Sequence, residues 1–282
     1  MDNSKTVLIT GCSSGIGHCV AHGLHKRGYQ VIATARSETD VARLRQEGLT
    51  ALKLDLNDSD SIKDAVKKTL EIGKGHLFAL FNNGAYGQSG AVEDLSRDVL
   101  RAQFETNLFG TLELTNLLLP TMRAQGYGRI IQNSSVLGFA ALPFRGAYIA
   151  SKYALEGLTD TLRMELAGSG IFVALIEPGP IKSRFRANSH AMFVKNIDPE
   201  GSHFESRYRT IVSRLTKQGP VVPFTLPPEA VLKKLVHALE SKQPKLRYYV
   251  TFPTYLFATL KWLLTDKAFE RILLKISNSE NE

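Results

Sequence analysis

Seven short stretches of apolar or β-branched residues recur along the chain, at 6–10, 30–35, 51–55, 77–82, 129–133, 172–177 and 246–250. Between them lie longer segments whose apolar residues fall at helical spacing, at 15–28, 40–48, 59–72, 98–124, 147–168 and 228–241. This alternation constrains the fold more than any other feature. Strands without a polar face must be covered on both sides, and a parallel pair needs a long crossover that a helix supplies. The pattern predicts one α/β domain over residues 1–250, a doubly wound parallel sheet of about seven strands with right-handed crossovers and helices on both faces.

Two segments fall outside the alternation. Residues 182–222 are polar and basic, with a helical stretch near 204–215. So long an excursion after a strand end predicts a lid over a substrate. Phe185, Met192, Phe193, Phe204 and Tyr208 are expected to line its pocket, with Val136, Leu137, Leu142 and Phe144 from the next segment upstream. Residues 251–282 form an appendix with apolar positions 256, 260, 263, 264, 269, 272, 273 and 276, a helical spacing. Lys261, Lys267, Arg271 and Lys275 lie among them. Packing on the domain is the expected use of this face; a membrane surface or a partner subunit in a homodimer is the alternative. Residues 277–282 are polar and are expected to be disordered.

Formal net charge is +8, but the basic residues are scattered and no nucleic-acid motif is present, so nucleic acid is excluded as a partner. No apolar run approaches the roughly 20 residues of a membrane span. The opening MDNSKTVLIT resembles neither a secretory signal nor a transit peptide, and Cys12 and Cys19 suggest no disulfide framework. These features predict a cytoplasmic protein without a metal site.

The first strand runs into Thr10-Gly-Cys-Ser-Ser-Gly-Ile-Gly17, which opens a helix. Glycines there allow a tight turn and let a pyrophosphate approach the backbone N–H groups of a helix N-terminus. Far downstream, Tyr148-Ile-Ala-Ser-Lys152 places a phenol and an ammonium four residues apart on one helix face. An ammonium beside a phenol favours the phenolate, so the Tyr148 pKa is expected to be depressed, as proton exchange between a carbonyl and an alcohol requires.

Together these two motifs resemble the short-chain dehydrogenase/reductases. The glycine loop and the Glu177-Pro-Gly-Pro block are similar to the branch holding 17β-hydroxysteroid and retinol dehydrogenases and bacterial aldehyde reductases. The resemblance spans roughly residues 5–250 and implies a Rossmann-type fold and a nicotinamide cofactor. It implies catalytic roles for Asn107, Ser135, Tyr148 and Lys152: Tyr148 as proton donor, Ser135 as partner of the reacting oxygen, Lys152 as tuner and Asn107 as holder of a water. It places the cofactor on Gly11, Ser13, Ser14, Gly15, Ile16 and Gly17, then Asp55 and Leu56, Asn82 and Gly84, and Tyr148 and Lys152. Pro178, Gly179, Ile181 and Ser183 complete the set. Arg36 stands where members that use NAD carry an acid, and a guanidinium suits a 2′-phosphate, so NADP(H) is expected over NAD(H). The family's usual Asn-Asn-Ala-Gly reads Asn82-Asn-Gly-Ala85 here, so position 85 must avoid a backbone geometry reserved for glycine. The implied function is interconversion of a steroid-, retinoid- or fatty-aldehyde-like carbonyl compound and its alcohol. A dinucleotide-binding redox sensor, an NAD-dependent alcohol dehydrogenase of the same family and a lipid-binding surface protein are the alternatives.

Overall fold

The computed structural model describes residues 5–219 and 222–279. Seven parallel strands form one sheet in the order β3-β2-β1-β4-β5-β6-β7. They are β1 (Thr6–Ile9), β2 (Gln30–Ala35), β3 (Thr50–Lys53), β4 (Ala79–Asn82), β5 (Gly128–Asn133), β6 (Ile171–Glu177) and β7 (Arg247–Tyr249). Each matches one of the seven apolar stretches. The reason is visible in β1 and β4, whose four residues are all buried. β1 pairs with β2 on one side and β4 on the other, with Ile9 opposite both Ala33 and Phe81. The chain reverses its direction of winding there, so the carboxyl ends of β1 and β4 open a crevice.

Strand side chains alternate between the two faces. Val7, Ile9, Ala33, Phe81 and Ile176 pack beneath α1 (Gly15–Lys26), α2 (Glu38–Gln46) and α9 (Glu229–Glu240). Leu8, Ile32, Leu80, Ile130 and Val173 pack against α3 (Ser59–Ile72), α5 (Gly110–Gln125) and the end of α6 (Gly146–Glu165). Two core layers thus come from one sheet by the period-two rule.

The expected helix at 98–124 is two helices. Between α4 (Arg97–Phe104) and α5 lies a π-helical turn over Glu105–Phe109 that contains Asn107. Such turns place a side chain off the regular face and recur at functional sites.

The excursion after β6 holds α8 (Glu205–Thr216), as expected, and α7 (Phe185–Asn196), which the sequence did not suggest. The appendix folds as α10 (Phe252–Leu263) and α11 (Asp266–Ser279) and packs on the domain: Phe257, Phe269 and Leu273 share a core with Val136, Leu142 and Tyr148. The disorder expected from residue 277 does not hold for 277–279, which continue α11; Ser277 is buried. Residues 280–282 lie outside the described residues. No described helix is long and apolar enough to cross a membrane.

Candidate active site

A cavity of about 1140 Å³ opens at the carboxyl ends of the central strands. That is large for a single small ligand and fits a dinucleotide with a substrate beside it. The glycine loop, the turns after β4, β5 and β6, α7 and α10 all reach its wall.

The cofactor end is built from backbone contact. Gly11 has φ +71°, and a Cβ on it would lie 2.7 Å from the Gly84 Cα. A Cβ on Gly17 would lie 2.2 Å from the Gly11 carbonyl oxygen. Only hydrogen fits at either place. Ser37, Asp58 and Ser96 cap α2, α3 and α4 by accepting backbone N–H bonds. Ser14 makes no such bond at the start of α1, and the first turn of α1 holds no acidic residue. These uncapped N–H groups beside a glycine cradle fit a pyrophosphate, by hydrogen bonding and by the helix dipole.

Of the residues assigned to the cofactor, Gly11, Ser13, Ser14, Gly15, Ile16, Gly84, Tyr148, Lys152, Pro178, Gly179, Ile181 and Ser183 line the cavity. Gly17 lies one layer behind, against Gly11. Arg36, Asp55 and Leu56 sit beyond the wall, after β2 and β3. Arg36 is exposed. The Asn82 side chain turns away from the cavity: its Nδ2 donates to Thr115 Oγ1 (2.9 Å) on the far side of the sheet. Side chains alternate along β4, so its neighbour Asn83 faces the cavity instead. Asn83 donates to the carbonyls of Thr10 (2.9 Å) and Gly11 (3.2 Å), while Thr10 Oγ1 accepts the Asn83 and Gly84 N–H groups. Ala85 has no positive φ, so the exchanged Gly84-Ala85 pair is tolerated.

Ser135, Tyr148 and Lys152 converge at the other end of the cradle, all buried. Lys152 Nζ donates to the Asn133 carbonyl (2.8 Å) and lies 5.8 Å from the centre of the Tyr148 ring. Asn133 Nδ2 in turn donates to Asn83 Oδ1 (2.9 Å), which links the lysine to the glycine loop. Asn107 lies beneath the cavity. Its Nδ2 donates to the Tyr86 carbonyl (2.9 Å) and to Ser151 Oγ (3.1 Å), and its Oδ1 accepts the Tyr86 N–H (3.1 Å). Its amide is therefore a strut between the turn after β4 and α6, next to Lys152.

The depressed phenol expected from the Tyr148–Lys152 spacing is not found. Burial pushes Tyr148 up to about 12, only partly offset by its hydrogen bond with Ser135. Burial also pushes Lys152 down to about 8, against the upward pull of Glu156. Desolvation dominates at both groups, because each charged form loses its water.

An ion cluster that sequence reading missed holds this end together. Arg247 on β7 donates to Glu156 (2.6 Å), Asp160 (2.6 Å) and Glu177 (2.5 Å), and Ser134 Oγ donates to Glu156 Oε1 (2.6 Å). Glu177 is fully buried and its carboxyl is pushed up by burial and by Glu156. The cluster ties α6 to the strand ends that carry Ser135 and Pro178. Its members lie 70 to 91 residues from Arg247, so no local spacing reveals them.

The substrate end differs from expectation. Phe185 lines the cavity and meets Tyr148 edge-on, with ring centres 5.2 Å apart. Val136, Leu137 and Leu142 line it as expected. Met192, Phe193, Phe204, Tyr208 and Phe144 do not. Phe193 and Tyr208 are buried in a separate core with Leu95, Ala147 and Leu215, which Phe144 and Phe204 cover. They hold α7 and α8 down rather than touch a ligand. In their place stand Phe224, just past the excursion, and Phe252, Leu256, Phe257 and Ile276 from the appendix.

With this geometry in hand, comparison with known proteins is direct. The family model described as short chain dehydrogenase matches residues 5–192. The uncharacterized oxidoreductase YbbO of Escherichia coli (strain K12) is 42% identical over 270 residues, covering 95% of this chain and 94% of that protein. Retinol dehydrogenase 8 of Homo sapiens is 33% identical over 273 residues, covering 91% of this chain and 85% of its own. The NADPH-dependent 3-dehydrocapnine reductase of Ornithobacterium rhinotracheale is 32% identical over 282 residues, with 96% of each chain covered. The glycine cradle, the Rossmann-type sheet and these matches agree: the chain belongs to the short-chain dehydrogenase/reductase family and is an oxidoreductase acting on CH–OH groups with a nicotinamide dinucleotide.

Proposed function

We propose that this oxidoreductase uses NADP(H) to interconvert an apolar aldehyde or ketone and its alcohol, with a steroid-, retinoid- or fatty-aldehyde-like substrate. The observation that carries this reading is the apolar wall facing Tyr148 and Ser135. Val136, Leu142, Phe185, Leu256, Phe257 and Ile276 reach it from four separate parts of the chain. The names of two relatives, a retinol dehydrogenase and an NADPH-dependent reductase, support it. Arg36 supports NADP(H) over NAD(H), as an exposed guanidinium after β2 where an acid would repel a 2′-phosphate.

When bound, the nicotinamide gives or takes the hydride. The chain's own residues handle the oxygen and its proton. Tyr148, held protonated by burial, is in the form that reduction uses and donates to the substrate oxygen. Ser135 hydrogen-bonds the same oxygen and stabilises its developing charge. Lys152 receives the resulting phenolate as a neighbouring ammonium. Asn107, through Ser151 and the π turn, positions α6 and supports a water path for the returning proton.

The two free cysteines suit a reducing cytoplasmic setting. Trp262 and Leu263, 83% and 61% exposed beside Lys261, support a peripheral membrane contact through α10. Vesicle flotation tests that contact, and light scattering tests the alternative of a second copy on the same strip.

NADPH consumption with a panel of apolar aldehydes and ketones tests the central reading. Turnover should appear in the wild type and fall about 10²–10⁴-fold in Tyr148→Phe, with NADPH affinity retained. No turnover on any member, with tight NADPH binding, would favour a sensor. Arg36→Ala should weaken NADPH by about tenfold more than NADH, a difference of about 1.4 kcal/mol. Equal losses would remove Arg36 from the cofactor site.

A further inference from the structure

Two histidines outside the cavity stand one turn apart on α1. His18 and His22 share a helix face, and their rings lie 4.5 Å apart. Both direct Nε2 at the same oxygen of Glu47, just past the end of α2, at 2.7 Å and 2.9 Å. The three ligand atoms lie within 4.8 Å of one another. The other carboxylate oxygen of Glu47 is held by Arg43 Nη1 (2.8 Å), and Arg43 Nη2 donates to the Ser13 carbonyl of the glycine loop (2.6 Å).

We propose that His18, His22 and Glu47 form a binding site for a divalent transition metal of the zinc class. The donor set is two imidazoles and a carboxylate, which suits zinc and disfavours magnesium or calcium. A histidine pair at i, i+4 is a spacing by which a helix presents two nitrogens to one ion. Metal–ligand bonds of about 2.0–2.2 Å in a tetrahedron place neighbouring ligands about 3.3 Å apart. The two nitrogens need therefore draw away from the Glu47 oxygen by only about half an ångström from their present spacing. Glu47 is placed to ligate: one of its oxygens faces both imidazoles while Arg43 holds the other. Arg43 orients it from behind, as an outer partner does for a ligating carboxylate. The histidine side chains are 34% and 26% exposed, which leaves an entry path and a fourth position for water. Each imidazole would ligate through its Nε2 lone pair with its proton on Nδ1, so the two Nε2 contacts to Glu47 give way to metal bonds on binding.

Sequence spacing hides this site, since Glu47 lies 29 residues from His18. Cys19 sits between the histidines in sequence but is not a ligand: its thiol is not among the donor atoms that cluster there.

Calorimetry on the chelator-treated full chain, titrated with zinc chloride alone, tests the site. One equivalent should bind at neutral pH. His18→Gln and His22→Gln should each weaken binding at least about tenfold, or about 1.4 kcal/mol, with circular dichroism and NADPH affinity unchanged. Cys19→Ser should bind zinc as the wild type does. Cobalt substitution should give the strong visible absorption of a four-coordinate ion. Wild-type affinity retained in both histidine variants, loss of affinity in Cys19→Ser, or no zinc binding by the wild type would each overturn the assignment.

Discussion

The two ends of the cavity are made in different ways. At the cofactor end, backbone meets backbone: Gly11 touches Gly84, Gly17 touches the Gly11 carbonyl, and α1 offers N–H groups without a side-chain cap. At the substrate end, side chain meets side chain across long separations, as Phe185 and Phe257 do around Tyr148 and Val136. The first end depends on the absence of atoms at a few places. The second depends on the volume of many. A cofactor common to a family can be held by the first kind of contact, while the second kind can vary with the substrate.

Substitutions at each end can break or sharpen that contrast. The largest effect is expected at Phe257, buried against Phe269 with ring centres 6.3 Å apart. Phe257→Ala should cost roughly 3–5 kcal/mol in denaturant unfolding. If the ends are independent, NADPH affinity at 25 °C should be unchanged while the KM for apolar substrates rises. A parallel loss of NADPH affinity would show that the ends are one unit.

Lys152 lies at the seam, and its substitution should act in the opposite sense on stability. Its pKa falls from 10.5 to about 8 on folding. Between those values the unfolded chain holds the proton and the folded chain does not, so stability should rise as pH increases from about 8 to 10.5. Below pH 8 the folded protein carries a buried ammonium at a cost. Lys152→Met should therefore gain up to about 3 kcal/mol at pH 7, at about 1.4 kcal/mol per pKa unit, while losing turnover. The gain should fade across the same pH window. A variant less stable than wild type at pH 7 would contradict the desolvation account.

At the cofactor end, Gly17→Ala should cost about 1–3 kcal/mol, because the added methyl meets a backbone carbonyl that cannot move away alone. NADPH affinity should fall with it, while the packing around Phe257 is untouched. The smallest effect is expected at Trp262. Trp262→Ser should change stability by less than about 0.5 kcal/mol and leave turnover of a soluble substrate as it was. Only vesicle association should respond.

The same contrast separates what was legible in the sequence from what was not. All seven strands and the glycine loop could be read, because continuous apolar runs and glycine spacing are local signals. The Tyr148–Lys152 pair could be read for the same reason, Ser135 followed from the family resemblance, and all three line the same cavity. Asn82 was named from the family motif, which does not say which of the two asparagines faces the cavity; the structure turns Asn83 to it. Phe193, Phe204 and Tyr208 were taken for pocket residues because an aromatic side chain reads alike whether it covers a core or a ligand. α7 was missed because its apolar residues do not form one clear stripe.

From the sequence alone, then, come the order and nature of the elements, the parallel sheet, the glycine-rich loop and the Tyr148–Lys152 pair. Each depends on residues within one strand, loop or helix. Tertiary structure alone decided the rest. It brought the appendix into the cavity wall, set Arg247 among Glu156, Asp160 and Glu177, and raised the Tyr148 pKa where sequence spacing predicted a fall. The physical reason is common to all three. Burial and desolvation are properties of everything packed around a group, and most of what packs around these groups arrives from far along the chain.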